Sequence, residues 1–185
     1  MKTTNIIASW LIVVGLVCAP MVFSDDEHEH WREEARHSTG VAMTDNPVYQ
    51  NECSSCHMAY PPGLLPERSW RKLMSGLNNH FGDNAELDAA SQQAITAYLA
   101  DNSADKSGYR RSRRFAESVN GDATPLRISE TAYFKHEHNE IPARLVTGNP
   151  EVRSFSHCNA CHQKAAQGSF RERDIRIPGY GRWDD

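Results

Sequence analysis

Cys53-Ser54-Ser55-Cys56-His57 and Cys158-Asn159-Ala160-Cys161-His162 are two copies of one five-residue pattern, and the reading of that pattern decides the fold. Cys-x-x-Cys-His is the attachment signature of c-type haem. The spacing follows from the chemistry. Two thiols on one tight turn reach the two vinyl groups of a porphyrin edge and form thioethers, and the next residue then lies beneath the ring, where its imidazole can bind the iron. The four cysteines are all those that follow Cys18, and each pair has its histidine. The pattern predicts two covalently bound haem c groups, attached through Cys53 and Cys56 and through Cys158 and Cys161, with His57 and His162 as the first metal ligands.

Other readings of four cysteines exist. They could form two disulfides in an exported protein, a structural zinc site, or, for one pair, a redox dithiol. Disulfides do not account for a histidine directly after both pairs. Four thiolates would satisfy zinc without one, and a redox dithiol has no use for a second copy.

Each iron needs a second ligand, and its identity sets the function: histidine gives a saturated centre, methionine raises the potential, and an open position permits ligand binding or catalysis. After His57 comes a stiff apolar loop, Met58-Ala59-Tyr60-Pro61-Pro62-Gly63-Leu64-Leu65-Pro66. Residues 67–77 then read as a helix, with Trp70, Leu73, Met74 and Leu77 on one face. His80, just past its end, is the candidate distal ligand, with Met74 as the alternative. Residues 85–100 predict a second helix, capped by Asp83 or Asn84, with Leu87, Ala90, Ala94, Ile95, Tyr98 and Leu99 as its apolar stripe.

The second haem is arranged in reverse. No histidine or methionine follows His162, so its partner must lie upstream, and His136 and His138 are both available. On a helix His138 would stand four residues after Phe134, on the aromatic side, whereas His136 would lie among charged neighbours. The residues favour His138 and leave His136 open. His157, adjacent to Cys158, is badly placed to bind its own haem and is expected to contact a propionate or solvent. His28, His30 and His37 fall in a polar, acidic stretch that reads as a flexible N-terminus.

The remainder of the chain sets the context. Residues 1–24 have one charge, Lys2, then an apolar run too short for a comfortable membrane span and small residues at a cleavage position, the layout of a signal peptide. Cys18 is expected to leave with it. Removing them leaves about 160 residues. The net charge of −4 makes nucleic acid a poor partner. With only 39% hydrophobic residues, bound cofactors are expected to complete the core. The expected organisation is a signal peptide (1–24), a polar N-terminus (25–45), a first haem unit (46–100), a linker with the basic run Arg110-Arg111-Ser112-Arg113-Arg114 (101–123), and a second haem unit (124–185). The basic run could pair with propionates, dock an acidic partner, or be a solvated helix face. Residues 163–168 should finish a helix that Gly168 stops, and the tail Ile175-Arg176-Ile177-Pro178-Gly179-Tyr180 reads as an extended strap. The fold class is mainly α, a small helical protein with long loops and little or no sheet.

Beyond the generic attachment motifs, several segments resemble the dihaem cytochrome c (DHC) family of bacterial periplasmic proteins. They are His80-Phe81-Gly82 with Asn84-Ala85-Glu86-Leu87, then Ile128-Ser129-Glu130-Thr131, then His138-Asn139-Glu140-Ile141, and Ala165 with Gly168 after the second motif. The resemblance extends over residues 46–179. It implies bis-histidine, low-spin centres, pairing His57 with His80 and His138 with His162, and the position before Asn-Glu-Ile is what favours His138. It also implies redox proteins as partners, among them a membrane b-type cytochrome and a monohaem cytochrome; two saturated irons would leave no site for a substrate. The expected function is a periplasmic electron carrier rather than an enzyme. A dihaem peroxidase and a gas-binding protein, each needing one open iron position, are the alternatives.

Overall fold

A computed structural model describes residues 40–183. The expected signal peptide with Cys18, and His28, His30 and His37, lie outside the described residues. Within them the chain forms six short α-helices joined by long loops and 3-10 turns, with one minimal antiparallel ribbon, as the composition and spacing led one to expect. None of these helices is long and apolar enough to cross a membrane.

Helix α1, Pro47–Cys53, starts where Asn46 accepts a hydrogen bond from the Tyr49 amide and Pro47 supplies a helical φ at no donor cost. It delivers Cys53 to the first attachment turn. Helix α2, Glu67–Met74, follows Pro66, which cannot cap it. Asp105 does so instead, accepting from the Glu67 amide at 2.9 Å. Helix α3, Ala89–Asp101, packs against α2, and Trp70, Met74, Ile95 and Leu99 are buried where they meet.

Both of these helices are shorter than the periodicity suggested. The first ends at Met74 because the Ser75 hydroxyl turns back to the Lys72 carbonyl and Gly76 opens a 3-10 turn, Leu77–Asn79. The second begins four residues late. The Asp88 carboxylate accepts from Ala90 and Ser91 at 3.0 Å each, while Asn84 ties its own side chain to the Glu86 amide and holds that stretch out of the helix.

Helix α4, Arg110–Glu117, carries the basic run. It packs on the turn Pro62–Leu64 and on helix α5, Ala132–Glu137. Gly63 permits the first contact: a Cβ there would lie 2.3 Å from the Ser112 hydroxyl. Helix α6, Cys158–Cys161, is the second attachment turn. After it comes a 3-10 turn, Ala165–Gln167, rather than a continued helix, and Gly168 stops it at φ +72°. The expected strap folds on itself: β1, Arg176–Ile177, pairs with β2, Gly181–Arg182, across a turn containing Gly179 at φ +72°. Buried residues from both halves, including Tyr49, Leu65, Trp70, Leu99, Phe115, Ile128 and Phe134, join one apolar cluster.

Candidate functional site

At the first attachment turn Cys53 is half-buried and Cys56 exposed. The Tyr49 hydroxyl donates to the Tyr60 carbonyl at 2.9 Å, and its ring meets Tyr98 of α3 at 5.7 Å, so α1 is held to both the apolar loop and α3. His57 donates from Nδ1 to the Met58 carbonyl at 2.8 Å. That bond selects the tautomer whose Nε2 lone pair is free for a metal.

His80 reaches this turn from a different element. Its amide donates to the Asp83 carbonyl at 2.7 Å and its carbonyl accepts from the Asp83 amide, closing a two-residue turn over Phe81 (φ +59°) and Gly82 (φ +108°). Two consecutive positive φ values define a tight hairpin turn. Glycine enters that region freely, whereas for Phe81 it stores strain. The Phe81 ring is held from two sides, by His80 edge-on at 4.8 Å and by the Arg127 guanidinium 3.8 Å from its centroid. The turn brings the His80 ring to 6.2 Å from that of His57. Met74, the alternative ligand, is buried where α2 meets α3.

The second site has the same arrangement with heavier walls. Thr131 caps α5, accepting from the Phe134 amide at 3.3 Å. His138 ends the helix and donates from Nδ1 to the Phe134 carbonyl at 2.9 Å. Its ring stacks on Phe134 at 3.9 Å and 9°, and Phe155 stands edge-on to both. His162 follows α6 and lies 6.0 Å from His138 between ring centroids. His136 is exposed on the opposite side of the helix end. The ring of His157 is bound to the Val152 carbonyl at 2.6 Å.

The ring separation of each histidine pair leaves room for an iron. Two metal–imidazole bonds of about 2 Å each, plus about 1 Å from each ring nitrogen to its centroid, span about 6 Å, which is the separation found at both sites. Burial, then the neighbouring His138 and the Arg111 charge, push His162 down to about 4. Burial also lowers His138, and burial with the facing His57 lowers His80. Rings held neutral in this way are ready to bind metal. Burial, and for Cys53 also the nearby Glu52 carboxylate, pushes the Cys53 and Cys158 thiols up to about 11. Among the described residues no group of three or more potential metal ligands gathers.

One member of the basic run is set apart from the others. Arg110, Arg113 and Arg114 are exposed. Arg111 turns inward to a cavity at the second site, between His138 and His162, which Phe115, Phe170 and Ile177 also line. Its Nη1 reaches the Tyr133 hydroxyl at 3.3 Å and Glu137 at 3.5 Å, while its Nε is buried with no partner. A buried, unpaired guanidinium N–H beside this cavity suits a carboxylate such as a haem propionate. The sequence showed a run of arginines but not which one faces inward. It also gave no sign that Phe155 and Phe170 would wall the second site, since their only cue is their closeness in sequence to the second motif.

The sequence matches the family described as DHC, dihaem cytochrome c, over residues 49–170. Among solved structures the chain is similar to a dihaem cytochrome type c from Shewanella baltica OS155, at 43% identity and a TM-score of 0.63, over 77% of this chain and 100% of that one. It is also similar to dihaem cytochrome c from Rhodobacter sphaeroides, at 46% identity and a TM-score of 0.63, over 70% of this chain and 100% of that one. No curated protein matches.

Proposed function

Because this chain belongs to the dihaem cytochrome c family and so carries two covalently attached haem c groups, we propose that it is an electron carrier whose two irons are both bis-histidine and low-spin. The observation that carries this reading is the pairing of imidazoles, His57 with His80 and His138 with His162, each at the separation an intervening iron requires.

Haem iron supplies a one-electron couple with little change in its ligands. The chain's residues do the rest. His57 with His80, and His138 with His162, would hold each iron from two sides and would leave no position for peroxide or dioxygen. Backbone carbonyls of Met58 and Phe134 fix the orientation of one imidazole in each pair. Phe134, Phe155 and Phe170 keep water from the second centre, while the exposure of Cys56 leaves an edge of the first within reach of a partner.

The layout of residues 1–24 supports export, and with it action in the periplasm. The partners we propose are redox proteins, including a membrane b-type cytochrome and a monohaem cytochrome. The exposed Arg110, Arg113 and Arg114 give α4 a basic outer face for an acidic one.

The test is the visible spectrum of the reduced holoprotein with and without carbon monoxide. Low-spin bands untouched by the gas are expected. A large, rapid shift would reject two saturated irons and favour a peroxidase-type or gas-binding protein.

A further inference from the structure

Tyr60 touches both centres. Its ring stacks on the imidazole of His57 at 4.6 Å and 22°. Its hydroxyl donates to the carbonyl of Ser156 at 2.6 Å, a contact that spans 96 positions of the chain. Ser156 lies two residues before Cys158. No other single side chain among those described above contacts a candidate ligand of the first haem and the attachment segment of the second.

The side chain is also rigidly held. Its own carbonyl accepts from the buried Tyr49, and Pro61 and Pro62, both buried, follow it. Proline fixes the backbone φ after it and restricts the residue before it. The phenol is half-buried and its hydroxyl is committed to the Ser156 carbonyl.

We infer that Tyr60 is a positioning residue and the bridge for electron passage between the two haems, running from the His57 imidazole through the phenol ring and its hydrogen bond to the Ser156 carbonyl, and on to the Cys158 attachment. This rests on the electron-carrier reading. In the step one iron is oxidised and the other reduced by a single electron, and Tyr60 keeps its proton and its electrons throughout. Two roles are separable in the one residue. The ring fixes the rotation of the His57 imidazole about its metal bond, and the hydroxyl couples that imidazole to the second site.

The experiment compares holoprotein carrying Tyr60→Phe, which removes only the hydroxyl, with Tyr60→Leu, which also removes the ring. A photoexcited flavin delivers at most one electron per molecule, and the concentration-independent phase that follows reports redistribution between the haems. EPR of the oxidised protein reports imidazole orientation. Tyr60→Phe is expected to slow the intramolecular phase with both low-spin signals unchanged. Tyr60→Leu should slow it further and shift the signal of the first haem alone. The parent rate in Tyr60→Phe overturns the proposal. So does slowing accompanied by a shifted EPR signal in that variant, because the hydroxyl would then act through ligand geometry. If Tyr60→Leu fails to take up haem, the Phe variant still decides. A parent protein with carbon monoxide-sensitive bands or no intramolecular phase would instead reject the carrier reading itself.

Discussion

The imidazoles of His138 and His162 cross at 74°. His57 and His80 are inclined by only 31°. The first crossing is set by Phe134, which both stacks on the His138 ring and binds its Nδ1 through the main chain, so the ring cannot turn without losing one contact. Crossed imidazoles donate equally to the two iron orbitals of π symmetry and leave them nearly degenerate, whereas aligned ones split them. Oxidised holoprotein is therefore expected to show two distinct low-spin EPR signals, the second site giving the larger maximal g value. One signal integrating to two irons would contradict these ring orientations.

His138→Ala and His136→Ala should separate cleanly. His138 faces His162, whereas His136 is exposed. His138→Ala is expected to make the second haem high-spin and reactive towards carbon monoxide, and His136→Ala to leave the spectrum unchanged. The reverse outcome would move the ligand to His136. His80→Ala should have the corresponding effect at the first haem alone.

The second haem should have the higher reduction potential. The second site is walled by Phe134, Phe155 and Phe170, and Arg111 turns towards it. The extra positive charge of ferric iron is penalised both by an apolar wall and by a nearby positive charge. Replacing Arg111 with Gln removes that charge. At about 10 Å and an effective dielectric of about 20, one charge is worth about 1–2 kcal/mol. For a one-electron couple that is a fall of about 40–90 mV. Spectroelectrochemical titration is expected to show the higher of the two midpoints falling by this much while the lower stays in place. A shift of the lower midpoint would assign Arg111 to the other haem.

Gly168 has two reasons to be glycine. It stands at φ +72°, and a Cβ there would lie 2.2 Å from the Val41 carbonyl oxygen, while its own carbonyl accepts the Val41 amide at 3.2 Å. Gly168→Ala is expected to cost about 1–3 kcal/mol, seen as a lower melting temperature with normal haem content. An unchanged melting temperature would show that the first residues after position 40 do not depend on this contact.

Much of this was legible in the chain. The attachment pattern is local: five consecutive residues can contain the whole of the thioether and proximal-ligand chemistry, so spacing alone points to Cys53, Cys56, His57, Cys158, Cys161 and His162 as its candidates. The helical class was legible for a similar reason, since apolar residues at three- and four-residue intervals need only near neighbours. Gly168 could be read as a stop because φ > 0 is a property of one residue.

Helix ends and pairings were less accessible. Asp88 displaced the expected caps at Asp83 and Asn84 because several acceptors stood in a row, and which amides they reach depends on how the chain bends between them. The facing of His80 on His57 depends on a hairpin turn held by an arginine 46 positions away, and the inward turn of Arg111 on the packing of α4 against α5. The bond from Tyr60 to Ser156 joins residues 96 apart. Such contacts are chosen by the geometry of the whole core, because a side chain's partner across a long loop is set by packing and not by sequence interval. The sequence by itself determined that this is a two-haem protein, because the attachment pattern is local and occurs twice. Only the tertiary structure decided how the two histidine pairs face one another, which arginine turns inward, and that Tyr60 reaches from His57 to Ser156, because each of these depends on packing between distant segments.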